Sequence, residues 1–326
     1  MSRDNEKGVC LWNVRPVCRV CGSDSPDRYC VVEKPPTRMG IFSLCNECGA
    51  LSFHAAQNAD TYGEGYYGSG NSKLGGFARH LRVLSANGRA RFVSKLVGGG
   101  ECLDIGCGDG EFLEAMHRLG WPVKGTELPG SAFERAQGKF PGRIVCTDRF
   151  ESATRPGSCN LVTMWQVFEH LENPRQVLEG CCKLLATGGV LAVGVPNPAS
   201  WQALWGKEHW LHFDPPRHLH LQSMQTLVKE AEVFGFICVA TKYPFIEFGP
   251  IGWIQTALNK LGFPRDYFFE RMKDRWSGVP VLSRIGWNII AALLAVPAFV
   301  LAFLEWLFKR TATYEVYLQR GSPKAG

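Results

Sequence analysis

The sequence predicts an α/β fold, with a small metal-binding appendage ahead of it and an apolar helical insert before its last strand. Three observations carry that prediction. Between Glu101 and Val195, short apolar runs ending in glycine turns alternate with helix-forming segments, the pattern of strands joined by helices. Two Cys-x-x-Cys pairs, each followed by glycine, stand at Cys18–Cys21 and Cys45–Cys48. A long run with one formal charge, Gly286–Phe308, precedes a strand-like alternation at Thr311–Arg320.

The chain has 326 residues, room for one sizeable α/β core and a small appendage. With 45% hydrophobic and 20% charged residues, most of it has enough apolar surface to fold. The net charge of +6 is dispersed. It argues against a nucleic-acid partner and suits an anionic membrane surface. Met1–Gly8 is polar with no apolar run behind it, which predicts no secretory leader. The tail Gly321–Gly326 is predicted to fray.

Residues 1–58 form the first predicted unit. Thirteen cysteines mark a disulfide scaffold only in a short secreted chain. Here Cys18, Cys21, Cys45 and Cys48 make the four-thiolate pattern of a zinc ribbon. Gly22 and Gly49 relieve the tight turns that aim backbone amides at the sulfurs. Such a site is closed, so its zinc is structural rather than catalytic. The metal substitutes for the core that so short a segment lacks. Residues 59–99 follow as a second unit. Asp60–Gly76 is rich in glycine and tyrosine, and reads either as a flexible connector or as a lid carrying Tyr62, Tyr66 or Tyr67. Phe77–Val97 has Leu81, Leu84, Phe92 and Leu96 at helical spacing and is predicted to pack on the sheet.

The core begins at ECLDIGCGDGEF, Glu101–Phe112. Cys102, Leu103 and Ile105 predict a buried strand. Gly106, Gly108 and Gly110 predict a strand-to-helix turn that a ligand can approach closely. Asp104 sits inside the strand end. A second acid, Glu127, ends the next apolar strand, Trp121–Thr126, where a carboxylate suits a ribose diol. Further strands are predicted at Arg143–Cys146 and from Asn160, with a helix over Pro174–Leu185. A Gly188-Gly189 turn then leads into strand Val190–Val195.

This run of residues resembles the class I S-adenosylmethionine-dependent methyltransferases, whose first motif reads like D-x-G-C-G-x-G. The segment NLVTMWQVFEHL, Asn160–Leu171, resembles the fourth strand and the "V-L-E-H-L-x-x-P" stretch of small-molecule members. The resemblance covers roughly Tyr62 to Tyr243 plus the last strand. It implies a Rossmann-like seven-stranded sheet built from residues 100–248 and 311–320. It implies S-adenosylmethionine as cofactor, held by Asp104, Gly106, Gly108, Gly110, Glu127, Asp148 and Gln166, with Asp148 near the adenine amino group.

The run WLHFDPPRHLHLQS, Trp210–Ser223, resembles the substrate-side segment of a subgroup that modifies sugars and lipid-linked molecules. A hydroxyl acceptor has a pKa far above 7, and a histidine poised near neutrality suits its deprotonation. His218 is the first candidate base, because Pro215 and Pro216 pin the chain before it. His220 is the second, sharing a face if the segment is extended. His170 also reads as a structural histidine bonded to backbone near the cofactor. A metal site of His212, Asp214 and His218 is a weaker alternative, since its spacing fits no standard pattern.

The insert, residues 249–310, holds Gly286–Phe308, flanked by Arg284, Lys309 and Arg310 and edged by Trp287 and Trp306, as at a membrane interface. A straight helix of that length would be about 35 Å, enough to cross a core of about 30 Å. Yet Thr311–Arg320 must rejoin the sheet beside Phe236–Tyr243, so a single crossing is excluded. With Pro297 at the middle, the expectation is a membrane-dipping hairpin of arms Gly286–Val296 and Ala298–Phe308, or an interfacial helix pair. A helix buried against the enzyme or a dimer partner is the alternative, and the oligomeric state stays open.

Together these readings predict a zinc-ribbon methyltransferase at the cytoplasmic face of a membrane. The expected acceptor is a hydroxyl of a lipid-linked sugar or polyprenyl-type lipid in surface-glycan assembly. The alternatives are C- or O-methylation of a soluble nucleotide sugar, and a non-catalytic cofactor-binding scaffold.

Overall fold

The computed structural model describes residues 17–24, 26–34, 38–55, 73–272 and 281–321. Tyr62, Tyr66 and Tyr67 lie outside them, so the lid and connector readings find no test. The described chain opens with β1 (Pro26–Lys34), β2 (Arg38–Cys45) and β3 (Leu51–Ala55), paired antiparallel. Helix α1 (Lys73–Val97) leads to the alternating core: β4 (Cys102–Ile105), α2 (Glu111–Arg118), β5 (Val123–Glu127), α3 (Ser131–Lys139) and β6 (Ile144–Cys146). It continues through β7 (Cys159–Trp165), α4 (Pro174–Leu184), β8 (Leu185–Pro196), α5 (Trp201–Gly206), β9 (His220–Leu221), α6 (Met224–Val233) and β10 (Phe236–Lys242). Helices α7 (Gly249–Lys260), α8 (Tyr267–Met272) and α9 (Val281–Leu307) precede the last strand, β11 (Thr313–Arg320).

The main sheet has seven strands in the order β10-β11-β8-β7-β4-β5-β6. The neighbouring pairs from β8 to β6 are parallel, and β11 runs antiparallel to both β8 and β10. All four residues of β4 are buried, as suits a central strand covered on both faces. Helix α2 shows why the pattern folds this way: Phe112, Leu113, Ala115 and Met116 turn inward while His117 and Arg118 face out. Successive strands run one way from β4 to β6, and the other way from β4 across β7 to β8. That reversal opens a crevice at the carboxyl ends of β4 and β7, where such sheets hold ligands.

Three features depart from the sequence reading. Gly188-Gly189 is not a free turn: β8 runs through it, and the pairing with β7 shifts register there. The N-terminal sheet is not a separate appendage either. Strand β9 joins it, with Leu51 opposite Leu221 and Ser52 opposite His220. Phe42 and Phe53 share an apolar cluster with Trp210, Phe213 and Leu221.

The third departure is the insert. No hairpin forms: α9 is one 27-residue helix with Pro297 inside it, about 40 Å long. Proline removes one N–H, but a stripe of Ala291, Ala298 and Ala302 packs in one cluster with Trp253, Ile254 and Leu258 of α7. That packing extends on both sides of the proline and keeps the helix whole. Glu305 is fully buried, accepting hydrogen bonds from Gln202 N, Gln202 Nε2 and Trp253 Nε1 at 2.8, 3.2 and 2.9 Å. The opposite face is bare: Leu293 and Val296 are 72% and 73% exposed.

Candidate active site

A cavity of about 1030 Å³ fills the crevice. Its floor is the β4–α2 turn. Gly106 has φ +67°, and a Cβ there would stand 2.6 Å from Val167 Cγ2. Gly108 has φ +55°, and a Cβ there would meet nothing within 4 Å. Bare backbone therefore faces open space, as a close-lying ligand requires. Glu127 is buried and lines the same cavity. Its Oε2 accepts from Gly108 N at 2.6 Å and its Oε1 from Leu128 N at 2.9 Å. These two bonds orient the carboxylate on the cavity wall, where its oxygens suit a diol.

Asp104 lines the floor, with Oδ1 accepting from Thr163 Oγ1 at 2.6 Å. Burial pushes its pKa up to about 7. Asp148 lies exposed on the cavity lining. Gln166 is held at φ +57°, a left-handed conformation that a non-glycine residue adopts only when its surroundings enforce it. Its N–H donates to Gly194 O at 2.8 Å, while its buried Nε2 finds no partner within the protein. An amide donor orphaned beside a cavity fits a polar cofactor. Gly110 is the exception among the seven expected contacts. It caps α2 at φ +77°, outside the cavity lining, and serves the turn.

Arg89 was not singled out from the sequence. It reaches the cavity from α1, donating to Glu315 Oε1 at 2.7 Å and Glu247 Oε2 at 2.5 Å, with its guanidinium 4.5 Å from the Trp165 ring centre. Its two carboxylate partners lie more than 150 positions away in the chain, and only the fold brings them together.

The other end of the cavity is built by the turn Phe168–His170 and the segment after α5. Three hydrogen bonds join them: His170 Nδ1 with Arg217 O at 2.9 Å, Leu219 N to Glu169 O at 2.8 Å, and His220 Nε2 with Leu171 O at 3.1 Å. His170 thus has the backbone bond expected of it. His218 lines the cavity, and its Nδ1 donates to His212 O at 2.7 Å. The proton is therefore fixed on Nδ1, and Nε2 carries the lone pair. Burial and the neighbouring His170 hold its pKa well below the usual range. It is a neutral imidazole at physiological pH rather than one poised near neutrality.

His220 lies apart from this cavity. Its Nε2 donates to Leu171 O and its Nδ1 accepts from Gln222 Nε2 at 3.2 Å, so both nitrogens are engaged in holding β9. The face-sharing expectation fails because the extended stretch begins only at His220. The trio His212, Asp214 and His218 is not assembled as a metal site either: Asp214 is paired with Arg217. Among the described residues, the structure groups Glu169, His170 and His218 instead, with one donor atom from each within 4.8 Å of the others. Glu169, absent from the sequence expectations, is 1% exposed, and burial pushes its pKa up to about 8.

The four cysteines converge as their spacing implies, all sulfurs within 4.8 Å of one another. Cys18 and Cys48 sulfurs are 3.6 Å apart, as are those of Cys21 and Cys45. Zinc–sulfur bonds of about 2.3 Å in a tetrahedron would space them about 3.8 Å, so the set fits such an ion. Gly22 and Gly49 take φ of +79° and +70°, closing each knuckle with a hydrogen bond to the carbonyl of Cys18 or Cys45.

Replacing Glu127 removes the acceptor that both orients the Gly108 loop and faces the cavity. Glu127→Ala is expected to weaken S-adenosylhomocysteine binding by about 1.5–3 kcal/mol, the range for charge-assisted hydrogen bonds. Calorimetric titration measures it, and an unchanged affinity would move the ribose contact elsewhere.

A sequence profile described as a methyltransferase domain matches residues 77–241. Ubiquinone biosynthesis O-methyltransferase of Sodalis glossinidius is 28% identical over 148 residues, 43% of this chain and 58% of that protein. The protein of the same name from Cupriavidus pinatubonensis is 31% identical over 144 residues, 41% of this chain and 56% of that one. The chain thus spans little more than half the length of these relatives. A SAM-dependent methyltransferase structure from Archaeoglobus fulgidus aligns with TM-score 0.48 and 20% identity, covering 76% of this chain and 100% of that one. With a family match over half of its length, on the segment that builds the glycine turn, Glu127 and the Gln166 strain point, the chain belongs to the methyltransferase-domain family.

Proposed function

We propose that the chain is an S-adenosylmethionine-dependent methyltransferase that works at a membrane surface on a hydroxyl of a lipid-linked sugar or polyprenyl-type lipid. The observation that carries this reading is the two-ended cavity. One end has the glycine floor, Glu127 and Gln166. The other has His218 and Glu169, and continues along Phe248, Ile251 and Phe269 on and beside α7 and α8. Those helices pack together, and α7 lies along α9 with its bare apolar face. Apolar side chains of α7 and α8 thus line the histidine end and suit an apolar acceptor tail.

S-adenosylmethionine, when bound, supplies a methyl group activated by a positively charged sulfur. The chain's residues then orient and deprotonate. Gly108, Glu127 and the Gln166 amide hold the cofactor end, and His218 Nε2 receives the acceptor's proton. The relatives' names specify O-methylation, which agrees with a hydroxyl acceptor. Zinc on Cys18, Cys21, Cys45 and Cys48 holds the N-terminal sheet in place.

The exposed face of α9 can be altered without touching its packed stripe. Leu293→Asn, Val296→Asn and Val300→Asn together, all on exposed positions, are expected to release the protein from anionic phosphatidylglycerol vesicles in flotation, with S-adenosylhomocysteine affinity kept. Methylation of a lipid-linked acceptor should fall far more than that of a soluble analogue. Wild-type protein that never floats would remove the membrane from the proposal, and equal losses on both acceptors would favour a soluble nucleotide sugar.

A further inference from the structure

The acceptor end of the cavity contains an unpartnered buried carboxyl group. Glu169 is 1% exposed, and neither carboxylate oxygen has a hydrogen-bond partner within the protein. A buried carboxylate in that condition is costly unless something satisfies it, and an ion is one such partner. Two imidazoles stand beside it. His170 Nδ1 and His218 Nδ1 each meet a backbone carbonyl, at 2.9 and 2.7 Å. A carbonyl only accepts, so both protons sit on Nδ1 and both lone pairs on Nε2. Backbone carbonyls that fix the tautomer in this way are the usual outer support of metal-bound histidines. One donor atom from each of the three residues lies within 4.8 Å of the others, and His218 Nε2 is 4.0 Å from Glu169 Oε1. A small contraction brings all three to ordinary bond lengths.

We propose that Glu169, His170 and His218 bind a divalent transition-metal cation. Two imidazoles and one carboxylate suit Mn²⁺, Fe²⁺, Co²⁺ or Zn²⁺ rather than the softer thiolate-preferring ions. Three protein ligands leave positions open toward the cavity. The acceptor oxygen occupies one of them, and coordination lowers its pKa. Its proton passes to water, its electron pair forms the new bond to the methyl carbon, and the carbon–sulfur bonding pair stays on the departing sulfur. This inference rests on the reading that the acceptor hydroxyl docks at this end. It replaces proton transfer to His218 by coordination to an ion that His218 helps to hold.

The test uses the purified full chain with its cysteine-bound metal intact, titrated with Mn²⁺ alone and followed by electron paramagnetic resonance. Manganese prefers nitrogen and oxygen donors, so the cysteine cluster does not report. One Mn²⁺ per chain is expected, with at least tenfold weaker uptake in Glu169→Gln and in His170→Ala. Unchanged S-adenosylhomocysteine affinity in both variants shows that they fold. No saturable uptake, or equal uptake in Glu169→Gln, overturns the site. Methyl transfer by protein that takes up no Mn²⁺ overturns the cation and leaves the methyltransferase reading standing. Stoichiometric Mn²⁺ with no transfer to any hydroxyl overturns that reading and leaves the site.

Discussion

His218→Ala is expected to lower methyl transfer by about 10²–10⁴-fold, the usual worth of a group that handles the acceptor's proton. Affinity for S-adenosylhomocysteine should not change, because His218 comes from the segment after α5 and not from the β4–α2 turn or β5, which carry Gly108 and Glu127. The loss is expected whether Nε2 takes the proton itself or holds an ion that acidifies the hydroxyl. Burial and the nearby His170 keep the imidazole neutral to well below pH 6.5. The lone pair is therefore present at neutral pH and disappears only as pH falls through the depressed pKa. The acid limb of kcat/KM should accordingly lie below pH 6.5, the ordinary histidine value. Full activity of His218→Ala, or an acid limb at the ordinary value, would remove His218 from the acceptor's chemistry.

Cys45→Ser is expected to have the second large effect, and to reach further than a remote structural site would. A closed four-cysteine zinc site contributes folding energy outright, with apparent binding energies of about 10–16 kcal/mol in small zinc domains. Losing it should release the metal, lower the melting temperature, and loosen β1, β2 and β3. Those strands are not isolated. Phe53 N donates to Leu219 O, and Leu219 N donates to Glu169 O, each at 2.8 Å. Thr226 Oγ1 donates to Cys48 O at 2.8 Å. Loosening the sheet therefore loosens the segment that carries His218. Acceptor turnover should fall at least tenfold, an estimate in line with the cost of misplacing a catalytic group by about 1 Å, while S-adenosylhomocysteine still binds. Elemental analysis, thermal melting and turnover measured together decide the matter. A metal content equal to that of the wild type would end the ribbon assignment, and one equivalent lost with unchanged turnover would show that the seam transmits nothing.

What could be read from the sequence was what local backbone chemistry dictates. Gly106, Gly108 and Gly110 all take positive φ because the turn from β4 into α2 requires it, and that requirement is visible in the residues themselves. Glu127 was legible as an acid at a strand end, and β11 as an alternation that had to find a sheet edge. What was not legible depends on partners far away in the chain. Glu169 looks like any acid in a short motif until folding buries it among histidines. His220 looks equivalent to His218 until β3 captures it. Pro297 looked like a bend because its penalty is local, whereas the alanine stripe that outweighs it is read only against α7. Arg89 had no signal at all, since its two carboxylates come from Glu247 and Glu315.

Glu305 gives α9 a fixed rotational setting. A purely apolar helix could roll about its axis with little change in energy, but this one carries a carboxylate held by Gln202 and Trp253. Rolling would break those bonds and leave the charge stranded in an apolar surround. The same stripe, with Leu293 and Val296 at its crest, is thus always the one turned outward. On a bilayer the helix would act as a keel, fixing which way the body above it faces. The reach of the cavity mouth toward the lipid would then be a constant of the architecture, so acceptors would be sorted by how far their hydroxyl stands above the surface as well as by chemistry.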